Sequence, residues 1–286
     1  MAPRIAVTGA TGSLGGLVIA ELIPTVGAAR LVAVVRNPDK AAALARKGVQ
    51  VRLANYSDPE ALSSALQDVA TLLLISSSEI GQRAQQHFNV VEAAKKCGVR
   101  HIVYTSAPHA DTSTLQLAAE HKATEQLIRA SGLTFSFLRN NWYHENYLPQ
   151  VAPVAASGVL LGSSHGGRVA SAARADYAAA AAVVLANPGH DNTVYELSGD
   201  VAWDYATLAT VISEVTGKPV TYRDLSTAEH LVALKEQRLD EATAAFVAQL
   251  DADIAAGTLS DVTSDLSRLI GRPTTALIDT LRGAAV

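Results

Sequence analysis

The chain has 286 residues, 27 acidic and 23 basic side chains for a formal net charge of −4, and a hydrophobic fraction of 49% against 17% charged. That balance excludes disorder, and without a basic block it gives no electrostatic basis for binding nucleic acid or an anionic membrane. A single cysteine, Cys97, excludes an internal disulfide and a cysteine metal site and suits a reducing cytoplasm.

Met1-Ala2-Pro3-Arg4 leads into a strand without the apolar segment of a secretory signal, and no apolar run is long enough to span a bilayer. Arg4 to Thr8 is the first predicted strand. The stretch Val7 to Gly15 then carries Gly9, Gly12 and Gly15 at spacing three and opens a helix over Gly12 to Ile23, closed by Pro24 and Gly27. Leu31 to Val35 is continuously apolar, as expected of a parallel strand covered on both faces, and ends in Arg36-Asn37-Pro38. A short helix over Ala41 to Lys47 follows, then a strand over Val49 to Ala54, a helix over Pro59 to Leu66 and a strand over Thr71 to Ile75. Ser76-Ser77-Ser78 is a polar loop before a helix over Ala84 to Lys96. Arg83, at the start of that helix, reads as a solvated residue that could alternatively face the cleft.

Arg100 to Thr105 makes a fifth strand, a helix covers about Ala118 to Ser131, and Thr134 to Leu138 is a sixth strand opening into residues 139–147. This alternation predicts an α/β fold, a Rossmann-type doubly wound parallel sheet whose ligands bind outside the carboxyl ends of the strands. The loops after strands one, two, four, five and six are the expected ligand loops. Further on, Ala173 to Ala186 reads as a helix, Thr193 to Leu197 as a strand, Tyr205 to Thr216 as a helix and Val220 to Leu225 as a strand. Two or three helices fill the remainder to Val286. The expected organisation is a Rossmann domain over 1–146, completed by about 171–200, with a smaller C-terminal α/β substrate lobe over 147–170 and 201–286.

The three glycines of the first turn serve different physical ends. They allow a turn too tight for a Cβ, close approach of backbone to a pyrophosphate, and packing of helix on strand. The helix N-terminus adds free N–H groups and the positive end of its dipole. NAD-selective folds commonly place an acid about 20 residues past the turn to hold a ribose 2′-hydroxyl. Here the end of the second strand holds Arg36, 21 residues after Gly15. A fixed cation suits a 2′-phosphate, so NADPH (NADP) is expected as cofactor, with Asn37 and Lys40 able to assist.

Val7-Thr8-Gly9-Ala10-Thr11-Gly12, Val35-Arg36-Asn37-Pro38, Tyr104-Thr105-Ser106, Leu138-Arg139-Asn140 with Trp142-Tyr143-His144-Glu145-Asn146, and Arg174-Ala175-Asp176-Tyr177-Ala178 together resemble the NmrA-like, atypical short-chain dehydrogenases/reductases. Within that family the chain is similar to the bacterial type 2 NADPH:quinone oxidoreductases, relatives of triphenylmethane reductase. The resemblance extends through Tyr195 to Asp200 and Leu269 to Thr275. It implies hydride transfer from NADPH directly to a quinone or similar planar, dye-like acceptor, without flavin. It also implies a pyrophosphate held by Gly9, Ala10, Thr11, Gly12, Ser13 and Leu14, and a 2′-phosphate on Arg36. Ser76, Ser77 and Ser78 fall on the adenosine ribose side, Asn141, Trp142, Tyr143, Glu145 and Asn146 on the nicotinamide half, and Arg174 is a further cofactor contact.

One departure bears on mechanism. Ordinary short-chain dehydrogenases use Tyr-x-x-x-Lys, the lysine lowering the tyrosine pKa so that it protonates the substrate oxygen. Lys122 is on the matching helix, but Ala118 stands four residues before it. An electron-poor quinone accepts hydride and aromatises, and water can protonate its oxygen. Tyr143, His109 and Lys122 are the expected catalytic candidates, against the alternatives of an aromatic lid, a loop surface residue and an exposed helix cation. The histidines show no metal-ligand spacing, so no metal is expected. Open alternatives are an NmrA-like redox-sensing or regulatory protein that binds dinucleotide without turnover, and an extended-type epimerase or dehydrogenase, which Ala118 disfavours. A monomer and a homodimer both remain open.

Overall fold

The computed structural model describes residues 3–79 and 81–283; Met1, Ala2, Ile80 and 284–286 lie outside the described residues, together with the expectations that touch Met1-Ala2 and Val286. In chain order the elements are β1 (Arg4–Thr8), α1 (Ser13–Val26), β2 (Leu31–Val35), α2 (Ala42–Arg46), β3 (Gln50–Leu53), α3 (Pro59–Ala65), β4 (Val69–Leu74), α4 (Arg83–Lys96), β5 (His101–Ser106), α5 (Ala118–Ala130) and β6 (Thr134–Asn140). They continue with α6 (Leu148–Ser157), β7 (Val159–Gly162), α7 (Arg174–Ala186), β8 (Thr193–Leu197), α8 (Tyr205–Thr216), β9 (Thr221–Asp224), α9 (Thr227–Glu236), α10 (Glu241–Ala255), α11 (Asp265–Ile270) and α12 (Leu277–Arg282).

The described residues form two compact units, one within Met1–Asp111, Ala119–Asn140 and Arg174–Glu196, the other within Thr112–Ala118, Asn141–Ala173 and Leu197–Val286. The first unit is built on a seven-stranded sheet in the order β3-β2-β1-β4-β5-β6-β8. Pairings from β3 through to β6 are parallel, which makes this a Rossmann-like α/β sheet with its strand order reversing between β1 and β4. Leu31 to Val35 are all buried, because a central parallel strand is covered on both faces. Leu14, Val18, Ile19 and Leu22 of α1 are likewise buried, and α1 packs on α7. The alanines of α7, among them Ala178, Ala180 and Ala181, are short enough to let helices approach closely.

The second unit has its own core, which gathers Tyr147, Trp203, Tyr205, Leu208, Ile212 and Ile254 among others. Its sheet is small, β7 parallel to β9 with Val159 opposite Thr221 and Gly162 opposite Asp224. Three of its helices, α8, α9 and α10, start on side-chain caps: Asp204 accepts from the Thr207 N–H, Asp240 from Thr243, and Ser226 with Glu229 closes a capping box.

The structure departs from two expectations and adds a strand that the sequence reading does not contain. Pro24 does not close the first helix, which runs to Val26 before Gly27 caps it; the ring sits in the last turn, where few residues follow to be disturbed. The 147–170 segment contains a strand, β7, that four residues of sequence do not announce. Among the described residues four helices follow β9 rather than two or three. Among the described residues no helix is long and apolar enough to cross a membrane.

Candidate functional site

The site is built where β1 and β4 diverge. Thr8 ends β1 fully buried, and its hydroxyl donates to the Leu73 carbonyl and accepts from the Ile75 N–H, both at 3.0 Å. It thereby ties together the ends of the two central strands. Gly9 follows at φ +58°, a left-handed conformation that disfavours any Cβ. The Gly12 N–H turns back onto the Gly9 carbonyl at 2.8 Å.

Gly12 is the N-cap of α1, with no side-chain cap and no acidic residue in the first turn, so the first N–H groups of the helix are left to an anion. A Cβ on Gly15 would lie 2.3 Å from the Gly9 carbonyl oxygen, and one on Gly12 would lie 3.1 Å from it. The glycines make a cradle that side chains would fill.

A cavity of about 350 Å³ opens on this turn. Gly9, Thr11 and Gly12 line it from the turn, Arg36, Asn37 and Lys40 from the segment after β2, and Ser76, Ser77, Ser78 and Glu79 from the loop after β4. Of the cofactor residues expected from sequence, Ala10 is fully buried, Leu14 lies in the core and Ser13 is exposed on the first turn of α1; none of these three lines the cavity. Four lining residues with polar side chains were missed: Asn55 and Tyr56 after β3, Glu79, and Gln86 of α4. The expected ligand loops omit the one after β3, although it too leaves the carboxyl end of a strand.

The serine loop is pinned from beneath. The Ser76 N–H donates to Thr105 Oγ1 at 2.8 Å, and the Ser77 N–H donates to His87 Nε2 at 3.0 Å. Because Nε2 accepts, Nδ1 carries the ring proton and donates to Thr124 Oγ1 at 2.9 Å. Burial, then the charge of Arg83, lowers the His87 pKa to about 3, so the ring stays neutral.

Arg83, expected to be solvated or to face the cleft, does neither. It is 5% exposed, with Nε donating to the Ser77 carbonyl at 2.7 Å and Nη1 to Glu120 Oε2 at 2.9 Å. The Ser77 hydroxyl in turn donates to Gln86 Oε1, and Gln86 Nε2 donates to Glu79 Oε2 at 2.8 Å. Arg36 Nη1 donates to the other oxygen of Glu79, also at 2.8 Å.

Two of the catalytic candidates belong to the first unit. His109 sits at φ +48°, its N–H donating to Glu196 Oε2 at 3.1 Å and its ring Nδ1 3.5 Å from Glu196 Oε1. Lys122 Nζ donates to the Asp111 carbonyl at 2.9 Å. Both therefore anchor the 107–111 loop, which Arg139 also holds through Asp111 and Glu196.

The third candidate, Tyr143, is half-buried in the second unit and bridges to Ala172 through its backbone. Beside it, Trp142 packs half-buried on that unit's core, Glu145 is half-buried and Asn146 exposed. Asn141 is buried, its side-chain oxygen taking the Trp142 N–H at 2.6 Å and its amide donating to the Leu259 carbonyl at 3.3 Å. His144 is oriented by a chain of donors: Trp203 Nε1 to Ser171 Oγ, Ser171 Oγ to His144 Nδ1, and His144 Nε2 to the Thr275 carbonyl. Arg174 opens α7, half-buried, in the first unit.

Glycine cradle, open helix N-terminus and a cationic wall of Arg36 and Lys40 fit the chemistry of a dinucleotide: free N–H groups at α1 would suit its phosphates and the two cations a phosphorylated ribose. Comparison with known proteins points the same way. The chain is 52% identical to "Quinone oxidoreductase 2" of Escherichia coli over 97% of both chains. The crystal structure of the NADPH-dependent quinone oxidoreductase QOR2 of Escherichia coli complexed with NADPH matches with a TM-score of 0.95 at 51% identity, covering 98% of this chain and 99% of that one. The Citrobacter triphenylmethane reductase complexed with NADP(H) matches with a TM-score of 0.94 at 39% identity, covering 98% and 100%. The model of the NmrA-like family matches residues 1–252, and the chain belongs to that family.

Proposed function

We propose that the protein is an NADPH-dependent reductase of quinones and similar planar acceptors. The observation that carries this reading is the cavity that holds both the glycine turn and the Arg36–Lys40 wall, in a chain half identical over its length to a quinone oxidoreductase. NADPH, when bound, supplies a hydride. Gly9 and Gly12 would leave room for its phosphates, the free N–H groups at the start of α1 would hold them, Arg36 and Lys40 suit a 2′-phosphate, and Ser76, Ser77 and Ser78 suit the adenosine ribose. Asn141, Trp142, Tyr143, Glu145 and Asn146 are proposed for the nicotinamide half, and Arg174 as an accessory contact.

Tyr143, His109 and Lys122 are proposed to orient or protonate the acceptor. The ammonium of Lys122 is already engaged by the Asp111 carbonyl, which favours a part in shaping the 107–111 loop. With Ala118 in place of a tyrosine acid, the one proton that the acceptor takes up beside the hydride can come from water where none of these three side chains supplies it. The reaction needs no flavin on this reading, and the single Cys97 suits a reducing, cytoplasmic setting. A purified sample given NADPH and a small benzoquinone is expected to lose nicotinamide absorbance with turnover. Binding of NADPH without turnover on any quinone or dye would favour the dinucleotide-sensing alternative instead.

A further inference from the structure

We propose that Glu79 sets how strongly this site prefers a 2′-phosphorylated dinucleotide, by holding a carboxylate on the guanidinium that would take the phosphate. The inference rests on the NADPH reading of the Arg36 cavity. One oxygen of Glu79 accepts from Arg36 Nη1 at 2.8 Å and the other accepts from Gln86 Nε2 at 2.8 Å. Gln86 is 3% exposed and is itself fixed by the Ser77 hydroxyl, which also takes the Glu79 N–H at 3.2 Å. The carboxylate is thus held from the protein side whether or not Arg36 stays on it.

Arg36 differs: its side chain is 64% exposed against 39% for Glu79. An exposed pair of this kind is weak and is readily exchanged for a dianionic phosphate. Glu79 then remains beside the phosphate and repels it. With an unphosphorylated ribose the same carboxylate is an acceptor for the 2′-hydroxyl, the part that an acid at the end of the second strand plays in NAD-selective sites. The loop after β4 therefore brings back the acid that the end of β2 lacks. Glu79 narrows the discrimination between the two dinucleotides without abolishing it, because Arg36 and Lys40 still outnumber it.

Calorimetric titration of 2′,5′-ADP and 5′-AMP, which differ only in the 2′-phosphate, into the full chain tests this without turnover. Glu79→Gln is expected to tighten 2′,5′-ADP and weaken 5′-AMP, widening the ratio of their dissociation constants about fivefold, as loss of a surface charge contact at each ligand implies. The widening shrinks in high salt, and Glu79→Asp, which keeps the charge, stays within about twofold of the wild type. An unchanged or narrowed ratio in Glu79→Gln, or the same widening in Glu79→Asp, overturns the role given to the carboxylate. If the wild type binds 2′,5′-ADP no better than 5′-AMP, the NADPH reading itself falls, and this inference with it.

Discussion

Arg139 grips both oxygens of Glu125, Nε at 2.9 Å and Nη2 at 2.7 Å, with the two side chains 6% and 4% exposed. The Ser106 hydroxyl adds a third donor to Glu125 at 2.7 Å, and Arg139 Nη1 reaches out to Asp111 and Glu196. Burial works against charge on Asp111, yet Arg139 overcomes it and holds that carboxyl below its usual pKa. The guanidinium ties β6 to α5 and to the loop that carries His109.

Removing one partner of such a pair leaves a buried charge alone. Arg139→Ala is expected to lower unfolding free energy by about 3–5 kcal/mol, whereas Arg139→Met with Glu125→Leu recovers most of it. Urea denaturation of the two variants distinguishes a pair that specifies geometry from one that dominates stability.

Gly15 is the least replaceable glycine of the turn. In Gly15→Ala the new Cβ meets the Gly9 carbonyl at 2.3 Å, with Ala10 Cα at 2.9 Å, and backbone cannot yield as a side chain can. The expected result is about 1–3 kcal/mol of lost stability and a dinucleotide affinity reduced more than tenfold, read by thermal unfolding with and without NADPH. Wild-type affinity in Gly15→Ala would show that α1 can shift without disturbing the phosphate cradle.

Arg36→Ala tests the 2′-phosphate assignment. Loss of a charge-assisted contact should raise the KM for NADPH by about 10- to 100-fold and change that for NADH by less than about threefold. Steady-state kinetics with both cofactors suffice, and equal effects would refute the assignment.

Two buried histidines predict the acid behaviour of the fold. Burial, reinforced by the Arg83 charge, lowers both His87 and His121 to about 3. Below pH 6.5 the unfolded chain takes up a proton on each while the folded chain does not, so stability is complete above about 6.5 and falls progressively towards pH 3. By pH 5 the loss is of order 1–2 kcal/mol per histidine. Denaturation curves between pH 7 and 5 should show this slope, and His121→Gln should reduce it by one histidine's share.

Tyr143→Phe and Lys122→Ala separate chemistry from loop shaping. If water protonates the reduced acceptor, Tyr143→Phe lowers kcat by less than about tenfold, short of the loss expected for a required general acid. Lys122→Ala, which frees the Asp111 carbonyl, should act chiefly on the KM for the acceptor. A collapse of kcat in either variant would make that side chain the proton donor.

The sequence by itself determined the elements whose signals are local. Helix α8 runs from Tyr205 to Thr216 as its periodicity predicts, because Asp204 caps one end and Gly217, at φ +67°, stops the other. The apolar run Leu31 to Val35, the glycine turn and Arg36 at the end of β2 are equally legible, since each depends on residues adjacent in the chain. Strand β7 was not, because only its pairing with β9, some sixty residues on, makes four residues a strand. Nor were the roles of Arg83, which reads as solvated, and of Gln86 and Glu79, which no local signal singles out; the fold brings them onto the serine loop and Arg36. The residues proposed for the phosphates are written locally, in glycine and arginine; what balances and orients that arginine depends on hydrogen bonds between residues up to 43 positions apart, which only the folded chain supplies.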